Sequence, residues 1–237
     1  MSNTYFRFKQ FRIEQDKCAM KVTTDACIQG AWTPIQQSVK KVLDIGAGTG
    51  LLSLMLAQRN KDIHIDAVEI DVAAAVQAMD NVAASVWKER VQVVESDIRN
   101  YTPRYKYDLI ITNPPFFNNS LLSDKASVNA ARHTLSLPYE ELQEAIAHLL
   151  DDVGYYSVLL PYTEYQLWKD MQVKQGWHEC GKLSICHRPG ADVKRVVGMF
   201  CKKLAIHSQE GTLIIKETDG QYSDAFKKLL APFYLEL

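Results

Sequence analysis

The feature that most limits the possible fold is an alternation of short apolar runs and helix-forming segments between Val39 and Lys174. The apolar runs have the length and composition of buried strands. Because strand–helix–strand units place consecutive strands side by side in parallel, this order predicts an α/β fold with a doubly wound parallel sheet. The predicted strands are Val39–Ile45, Ile63–Ile70, Val91–Val94, the strand that starts at Asp108, and Tyr155–Leu160; the predicted helices are Leu51–Ala57, Ala73–Val86, Tyr139–Leu150 and Glu164–Lys174.

Segments outside this alternation are expected to close the sheet and to cover one end of it. Gly154 is placed in the turn before the fifth strand. The remaining predicted elements are one or two short strands within residues 4–22, a helix over Ala26–Trp32 capped by Thr23, Thr24 and Asp25, an antiparallel pair Cys180–Cys186 and Arg195–Cys201, a short edge strand Thr212–Ile215, and a helix Tyr222–Ala231. We expect one domain over residues 1–237, with residues 1–36 forming a flap and a helix over its site.

Composition excludes several classes of protein. Hydrophobic residues make up 47% of the 237 residues and charged residues 23%, so a folded core is expected rather than disorder. The net charge of −1 argues against a nonspecific polyanion binder, although a nucleic-acid enzyme with basic residues clustered on one face remains compatible with it. No apolar run approaches the length of a membrane span.

The number and spacing of the cysteines and histidines indicate the cellular compartment and whether the chain binds a metal. The five cysteines are odd in number and lack a C-x-x-C pair, and the chain begins without an apolar signal stretch. A reducing cytoplasmic location is therefore predicted. The histidines and cysteines show no metal-ligand spacing, so we predict no metal site.

A glycine-rich turn follows the first predicted sheet strand. Residues 44–50 are Asp-Ile-Gly-Ala-Gly-Thr-Gly, and a helix begins directly after them. Gly46, Gly48 and Gly50 let the backbone approach a ligand, and the helix start offers free N–H groups. The spacing G-x-G-x-G departs from the G-x-G-x-x-G of nicotinamide sites, and no P-loop lysine follows. The alternative is a tight turn that binds nothing.

Two acidic residues close the next two predicted strands. Glu69 follows Asp44 by 25 residues, where a carboxylate accepts both hydroxyls of a ribose, and Asp97 ends the following strand, near where an adenine edge would lie. The carboxyl ends of parallel strands meet at one edge, which is the usual binding crevice of such sheets. The alternatives are a solvated strand end for Glu69 and a helix or turn cap for Asp97.

The strand that starts at Asp108 ends abruptly in Asn113-Pro-Pro-Phe-Phe117. Two prolines cannot continue a ladder, so the Asn113 amide is left on a stiff strand end. The Asn113 carbonyl oxygen and the Pro114 carbonyl are acceptors suited to an exocyclic amino group, and Phe116 offers a ring for stacking. A plain turn after a strand is the alternative, since Asn-Pro often opens turns.

Together these motifs resemble those of class I S-adenosylmethionine-dependent methyltransferases that act on amino groups. Within that class the chain is similar, over nearly its whole length, to the bacterial tRNA(Val) adenine N6-methyltransferases. The segments that carry the family resemblance are Phe8-Lys-Gln-Phe11, Cys18-Ala-Met-Lys-Val22 with Thr24-Asp25, Gly30-Ala-Trp32, Arg132-His133 and Tyr222-Ser-Asp-Ala225 with Phe233-Tyr234.

The resemblance implies a Rossmann-like, seven-stranded, mostly parallel sheet with an antiparallel closing pair. It implies methyl transfer from S-adenosylmethionine to N6 of adenosine 37 in valine tRNA, by a protein for which a monomer is favoured. The implied cofactor residues are Lys21, Thr24, Asp25, Asp44, Gly46, Gly48, Gly50, Glu69, Asp97, Ile98 and Asn113. The implied catalytic residues are Asn113, Pro114 and Phe116, and the candidate substrate contacts are Phe117, Arg132, His133, Arg188 and Arg195, with Lys9 and Arg12 as further basic candidates.

Two other kinds of function stay open at this point: methylation of another amino group, and binding of S-adenosylmethionine without catalysis. The same chemistry serves a protein glutamine, or an adenine of rRNA or DNA, and Phe116 in place of tyrosine favours RNA only weakly. A protein that binds S-adenosylmethionine without catalysis would have no use for the Asn113 corner. Each basic candidate, taken singly, fits an ordinary solvated surface residue better than a tRNA contact.

Overall fold

A computed structural model describes residues 3–18, 20–115, 137–203 and 209–237 of the chain. Its strands are β1 (Tyr5–Arg7), β2 (Arg12–Glu14), β3 (Lys41–Ile45), β4 (His64–Glu69), β5 (Val91–Glu95), β6 (Tyr107–Thr112), β7 (Leu150–Pro161), β8 (His178–Cys186), β9 (Val193–Cys201) and β10 (Gln209–Ile214). Its helices are α1 (Thr24–Trp32), α2 (Leu51–Arg59), α3 (Val72–Ala83), α4 (Tyr139–Leu149), α5 (Tyr162–Lys174) and α6 (Asp224–Leu230), with a 3₁₀ turn at Ile98–Asn100.

Eight described strands form the central sheet, in the order β10-β8-β9-β7-β6-β3-β4-β5. Neighbouring strands pair in parallel, except that β9 runs antiparallel between β7 and β8. The predicted mixed α/β sheet and its closing pair are confirmed. The sheet has one strand more than the seven expected. The additional strand is β10, the edge strand expected near Thr212–Ile215, which pairs with six residues of β8.

Side chains alternate between two hydrophobic cores, one on each face of the sheet. Along β6, Leu109 and Ile111 belong to one core, which also contains residues of α1, α2 and α6, whereas Ile110 belongs to the other, with residues of α4 and α5. Strands buried on both faces need continuous apolar runs, which explains why the alternation was readable from the sequence. The doubly wound prediction therefore holds.

Side-chain caps begin α1 and α3, and that of α1 was predicted. The hydroxyl of Thr23 accepts from the N–H of Ala26 at 3.2 Å, which begins α1 two residues before the predicted helical run. Asp71 likewise caps α3 through the N–H of Ala74, at 2.8 Å. Side-chain oxygens at these positions satisfy helix N–H groups that have no partner within the helix.

The largest boundary error lies at the start of the fifth sheet strand of the sequence, predicted at Tyr155 and observed at Leu150. Gly154 lies inside β7, which begins at Leu150, and not in a turn. A Cβ at this position would lie 3.0 Å from the carbonyl oxygens of Tyr107 and Asp108, so glycine is needed for close backbone contact. The β6–β7 register shifts at that point, between Tyr107 and Leu109. A glycine in a strand often marks such an approach rather than a turn.

The N-terminal residues form an antiparallel hairpin, β1–β2, outside the central sheet. Its Phe8, Phe11 and Ile13 are buried in the same core as α2. Within the described ranges, no helix is long and apolar enough to cross a membrane. The same residues contain no group of three or more His, Cys, Asp or Glu side chains placed to hold a metal ion.

Candidate active site

The carboxyl ends of β3, β4 and β6 lie side by side and carry the predicted site residues. The N–H of Gly46 donates to the carbonyl of Val68 at 2.9 Å, which joins the glycine turn to the end of β4. The Thr112 hydroxyl donates to the carbonyl of Ile45 at 2.9 Å, which joins the same turn to the end of β6. The structure therefore brings Gly46, Glu69 and Asn113 to one edge, as predicted.

The glycine turn depends on backbone conformations that other residues rarely adopt. Gly46, Gly48 and Gly50 have φ of 71°, 55° and 79°. A Cβ built on Gly46 or Gly48 would meet nothing within 4 Å, so the turn is bordered by open space rather than by packed side chains. Gly50 is the N-cap residue of α2, so the first N–H groups of that helix directly follow the turn.

Asp44 lies under the turn and is fully buried. Its Oδ2 accepts from the N–H and the hydroxyl of Ser53, at 3.1 and 2.7 Å, while its Oδ1 has no partner within the described part of the chain. Burial raises the pKa of Asp44 to about 7, and the two bonds from Ser53 offset only part of that rise. A buried carboxylate oxygen without a partner lowers the stability of the fold. Such unsatisfied groups are often found at functional sites.

Glu69 binds the turn from the side of β4. Its Oε2 accepts from the N–H of Gly48 at 2.8 Å, and its Oε1 accepts from the N–H of Asp71 at 2.9 Å. The side chain is buried, so the alternative of a solvated strand end does not describe it. Each carboxylate oxygen keeps further acceptor capacity, so these two bonds leave room for ribose hydroxyls.

Asp97 caps the 3₁₀ turn that follows β5. Its carboxylate accepts from the backbone N–H of Arg99 at 2.9 Å and pairs with the Arg99 guanidinium. Those bonds hold the pKa of Asp97 below its usual value. The Asp97 side chain is therefore a turn cap, which was the alternative considered from the sequence. A contact of Asp97 or of the buried Ile98 with adenine stays a prediction.

Asn113 follows β6 directly and supplies the acceptor predicted from the sequence. Its Oδ1 is buried and has no hydrogen-bond partner among the residues that the structure describes. Pro114 is buried and Pro115 is exposed, so the chain turns outward after the asparagine. A buried amide oxygen without a partner is rare in proteins and is consistent with an acceptor reserved for a ligand.

Sequence reasoning missed Gln29, a fully buried residue of α1. Its amide nitrogen donates to the carbonyl of Thr112 at 3.0 Å, the residue before Asn113, and lies 3.4 Å from the carbonyl of Ser157 on β7. Gln29 thus fixes the strand end that carries the asparagine. The available signal was a glutamine within the run Ala-Cys-Ile-Gln-Gly-Ala, just as Ser53 interrupts the apolar run of α2.

Other candidates surround this edge or lie outside the described residues. Asp25, at the start of α1, lies 3.6 Å from the Nε of Arg195, and burial raises its pKa. Thr24 and Lys21 are exposed next to it in the chain, and Arg188 is exposed in the turn between β8 and β9. The predicted contacts Phe116, Phe117, Arg132 and His133 lie outside the described residues.

Comparisons with known proteins converge on one family. A family model described as the methyltransferase small domain matches residues 32–137. A protein of Dyadobacter fermentans named tRNA1(Val) (adenine(37)-N6)-methyltransferase is 44% identical, over 99% of this chain and 98% of its own length. A protein of the same name from Bacteroides fragilis is 41% identical over the whole of both chains. The crystal structure of a predicted O-methyltransferase from Agrobacterium tumefaciens shares the fold, with a TM-score of 0.67 at 17% identity, covering 88% of this chain and 96% of that one.

The raised pKa of Asp44 predicts a pH-dependent cost in stability. Because the folded protein holds this proton up to a pH of about 7 and the unfolded chain releases it near 4, unfolding free energy falls as pH rises between those values. Asp44→Asn keeps an acceptor for Ser53 and removes the titration. We expect it to be more stable than the unmodified protein at pH 8, by roughly 2–4 kcal/mol, and to lose this advantage near pH 4. Urea titrations across this range measure the difference, and parallel pH profiles would contradict the assignment.

Proposed function

Because the chain belongs to the tRNA1(Val) (adenine(37)-N6)-methyltransferase family, we propose that it transfers a methyl group from S-adenosylmethionine to N6 of adenosine 37 in valine tRNA. Adenosine 37 lies immediately 3′ of the anticodon. The observation that carries the proposal is the buried, unpartnered Oδ1 of Asn113 at the strand end beside the glycine turn. It is an acceptor suited to an amino group.

The residues at the edge fit S-adenosylmethionine. Open space borders Gly46 and Gly48, where any side chain would intrude on a ligand close to the backbone. Asp44 offers an unpartnered oxygen, and Glu69 offers a carboxylate for the ribose hydroxyls. Lys21, Thr24 and Asp25 would cover the cofactor from the N-terminal side, with Asp97 and Ile98 toward the adenine.

The chain's own groups activate and orient the target amine. S-adenosylmethionine, when bound, supplies the methyl group on an activated sulfonium. N6 of adenine is a poor nucleophile because its lone pair is conjugated with the ring. Asn113 Oδ1 and the Pro114 carbonyl would accept its two protons and favour a pyramidal nitrogen with an available lone pair. No strong base is needed, since the proton becomes acidic as the new bond forms.

The target adenosine must leave its stack in the anticodon loop. Loop nucleotides cost less to splay out than paired ones, and stacking on an aromatic ring offsets that cost. Phe116 would supply the ring, with Phe117 beside it. The two prolines before them hold the backbone stiff at the corner.

Basic residues at the termini and in the β8–β9 turn are the proposed tRNA contacts. Lys9 and Arg12 already bind their own chain: the Lys9 ammonium donates to the carbonyl of Ala231 at 2.6 Å, and Arg12 pairs with Glu14 at 2.6 Å. The β8–β9 turn, with the exposed Arg188, lies at the carboxyl edge, since β8 runs in the direction of β7. Arg195, Arg132 and His133 complete the set.

We further propose a cytoplasmic, monomeric enzyme built as one domain over residues 1–237, with residues 1–36 as flap and first helix. Its tRNA substrate and five free thiols support the compartment. Light scattering checks the assembly, and labelled cofactor offered with tRNA, protein or DNA separates this substrate from other amino groups.

Glu69→Ala should weaken binding of S-adenosylhomocysteine by about 10- to 150-fold, through loss of charged hydrogen bonds worth roughly 1.5–3 kcal/mol. Calorimetric titration measures the dissociation constant. Glu95→Ala is a matched control, because Glu95 is the exposed register partner of Glu69 on β5 and should leave affinity unchanged. Equal affinities in the unmodified protein and Glu69→Ala would remove Glu69 from the ribose site.

Asn113→Ala should bind S-adenosylhomocysteine with nearly normal affinity but transfer methyl groups at least about 100-fold more slowly. The amide acts mainly as the target nitrogen pyramidalises, so the loss falls on kcat. Single-turnover methylation of an unmodified tRNA transcript gives the rate. A fully active variant would refute amino-group methylation, and equal losses of binding and rate would show that the corner is only structural.

Replacing Lys9, Arg12, Arg188 and Arg195 by glutamine should flatten the dependence of log K for tRNA on log salt. Each lost phosphate contact lowers the slope by roughly 0.7–0.9. Filter binding at several salt concentrations gives the slope. The control variant neutralises Lys61 and Lys88, which are exposed in loops at the opposite edge of the sheet. An unchanged slope in the fourfold variant would place the tRNA surface elsewhere.

A further inference from the structure

Asn81, on α3, is a buried amide that the proposed chemistry does not use. It is 2% exposed, as is Gln77 one turn before it on the same helix. Asn81 contacts Glu14, the last residue of β2, and Gln77 contacts Asp16 and Lys17 just after the hairpin. Buried amides carry up to four hydrogen-bonding positions, so their partners indicate what they hold in place.

Asn81 joins the flap to the glycine turn. Its Oδ1 accepts from the N–H of Glu14 at 2.9 Å, and its Nδ2 donates to the carbonyl of the same residue at 3.0 Å. The same Nδ2 donates to the carbonyl of Thr49, between Gly48 and Gly50, also at 3.0 Å. A flipped amide would face two carbonyls with its oxygen, so the partners themselves fix this orientation.

We propose that Asn81 is a positioning residue that links docking of the N-terminal flap to the shape of the cofactor-binding turn. The inference rests on the proposed function, since it concerns affinity for S-adenosylmethionine and its product. Asn81 contacts the turn at Thr49 rather than any reacting atom.

The turn is held from two sides. Glu69 holds the N–H of Gly48, and Asn81 holds the carbonyl of the next residue, Thr49. Gly50 also packs against α3, since a Cβ there would lie 3.6 Å from that of Ala78. Because the glycines permit many backbone conformations, these contacts select the one that presents the turn to a ligand. Losing the Thr49 bond would lower the population of that conformation and therefore the apparent affinity.

Linkage makes the effect reciprocal. If flap docking through Glu14 favours the turn conformation that binds cofactor, cofactor binding must favour the docked flap by the same factor. Gln77 offers the comparison, because it anchors the flap without touching the turn. Its Nε2 donates to Asp16 at 2.6 Å, and its Oε1 accepts from the N–H of Lys17 at 3.1 Å.

The test compares Asn81→Leu with Gln77→Leu in the full chain, by titration with S-adenosylhomocysteine and by hydrogen exchange of residues 12–18. We expect Asn81→Leu to bind at least about tenfold more weakly and to lose the cofactor-induced slowing of exchange at Glu14 and Lys17. Gln77→Leu should bind within about threefold of the unmodified protein and retain that slowing at Glu14, whose N–H partner Asn81 is unchanged. Equal losses of affinity in both variants would show that only flap anchoring matters, and would overturn the proposal.

Asn81→Asp provides a second variant if the leucine substitution prevents folding. It keeps an acceptor for the N–H of Glu14 but replaces the donor to Thr49 with an oxygen. The proposal predicts weaker binding with the flap amide still protected, and affinity equal to the unmodified protein would overturn it. If the unmodified protein failed to bind S-adenosylhomocysteine, the proposed function would fall and this inference with it. If it bound and Asn81→Leu bound equally well, the inference alone would fall.

Discussion

Parallel pairing of β3 with β4 and β6 is the constraint on which the site depends. The register places Ile45 opposite Val68 on one side and Thr112 on the other. The residues that follow these three positions are Gly46, Glu69 and Asn113. The three functional residues therefore lie next to one another along the same edge of the sheet. A shift of one residue in either pairing would turn every side chain of that strand to the opposite face and dismantle the row.

Some buried polar groups of the sheet have hydrogen-bond partners, whereas others keep an unsatisfied oxygen. Asp66, inside β4, accepts from the hydroxyls of Tyr101, Tyr105 and Tyr107, at 3.2, 2.8 and 2.5 Å. Asp44 and Asn113, at the carboxyl ends, each keep an oxygen without a partner. Buried polar groups are normally satisfied because leaving one unpaired costs roughly 1–3 kcal/mol. Asp44 and Asn113 therefore present acceptors where a ligand would meet them, while Oε1 of Gln58 and the amide of Gln172 are unsatisfied buried groups elsewhere in the described residues.

Side-chain amides connect the separate parts of this edge. Gln29 ties α1 to the ends of β6 and β7, and Asn81 ties α3 to both the flap and the glycine turn. An amide both donates and accepts, so one side chain can join backbone groups of different elements. These links explain how a glycine turn with intrinsically free backbone torsions becomes one defined surface.

Sequence alone determined the α/β class, most element boundaries and the row of strand-end residues, because buried parallel strands and the helices covering them have distinct periodicities. It also identified Asn113, since two prolines can only follow a strand that ends. Tertiary structure alone placed Gly154 in a strand and revealed the roles of Gln29 and Asn81. The physical reason is that these roles depend on partners dozens of residues away in the chain, or on close approach of two backbones, which local pattern does not encode.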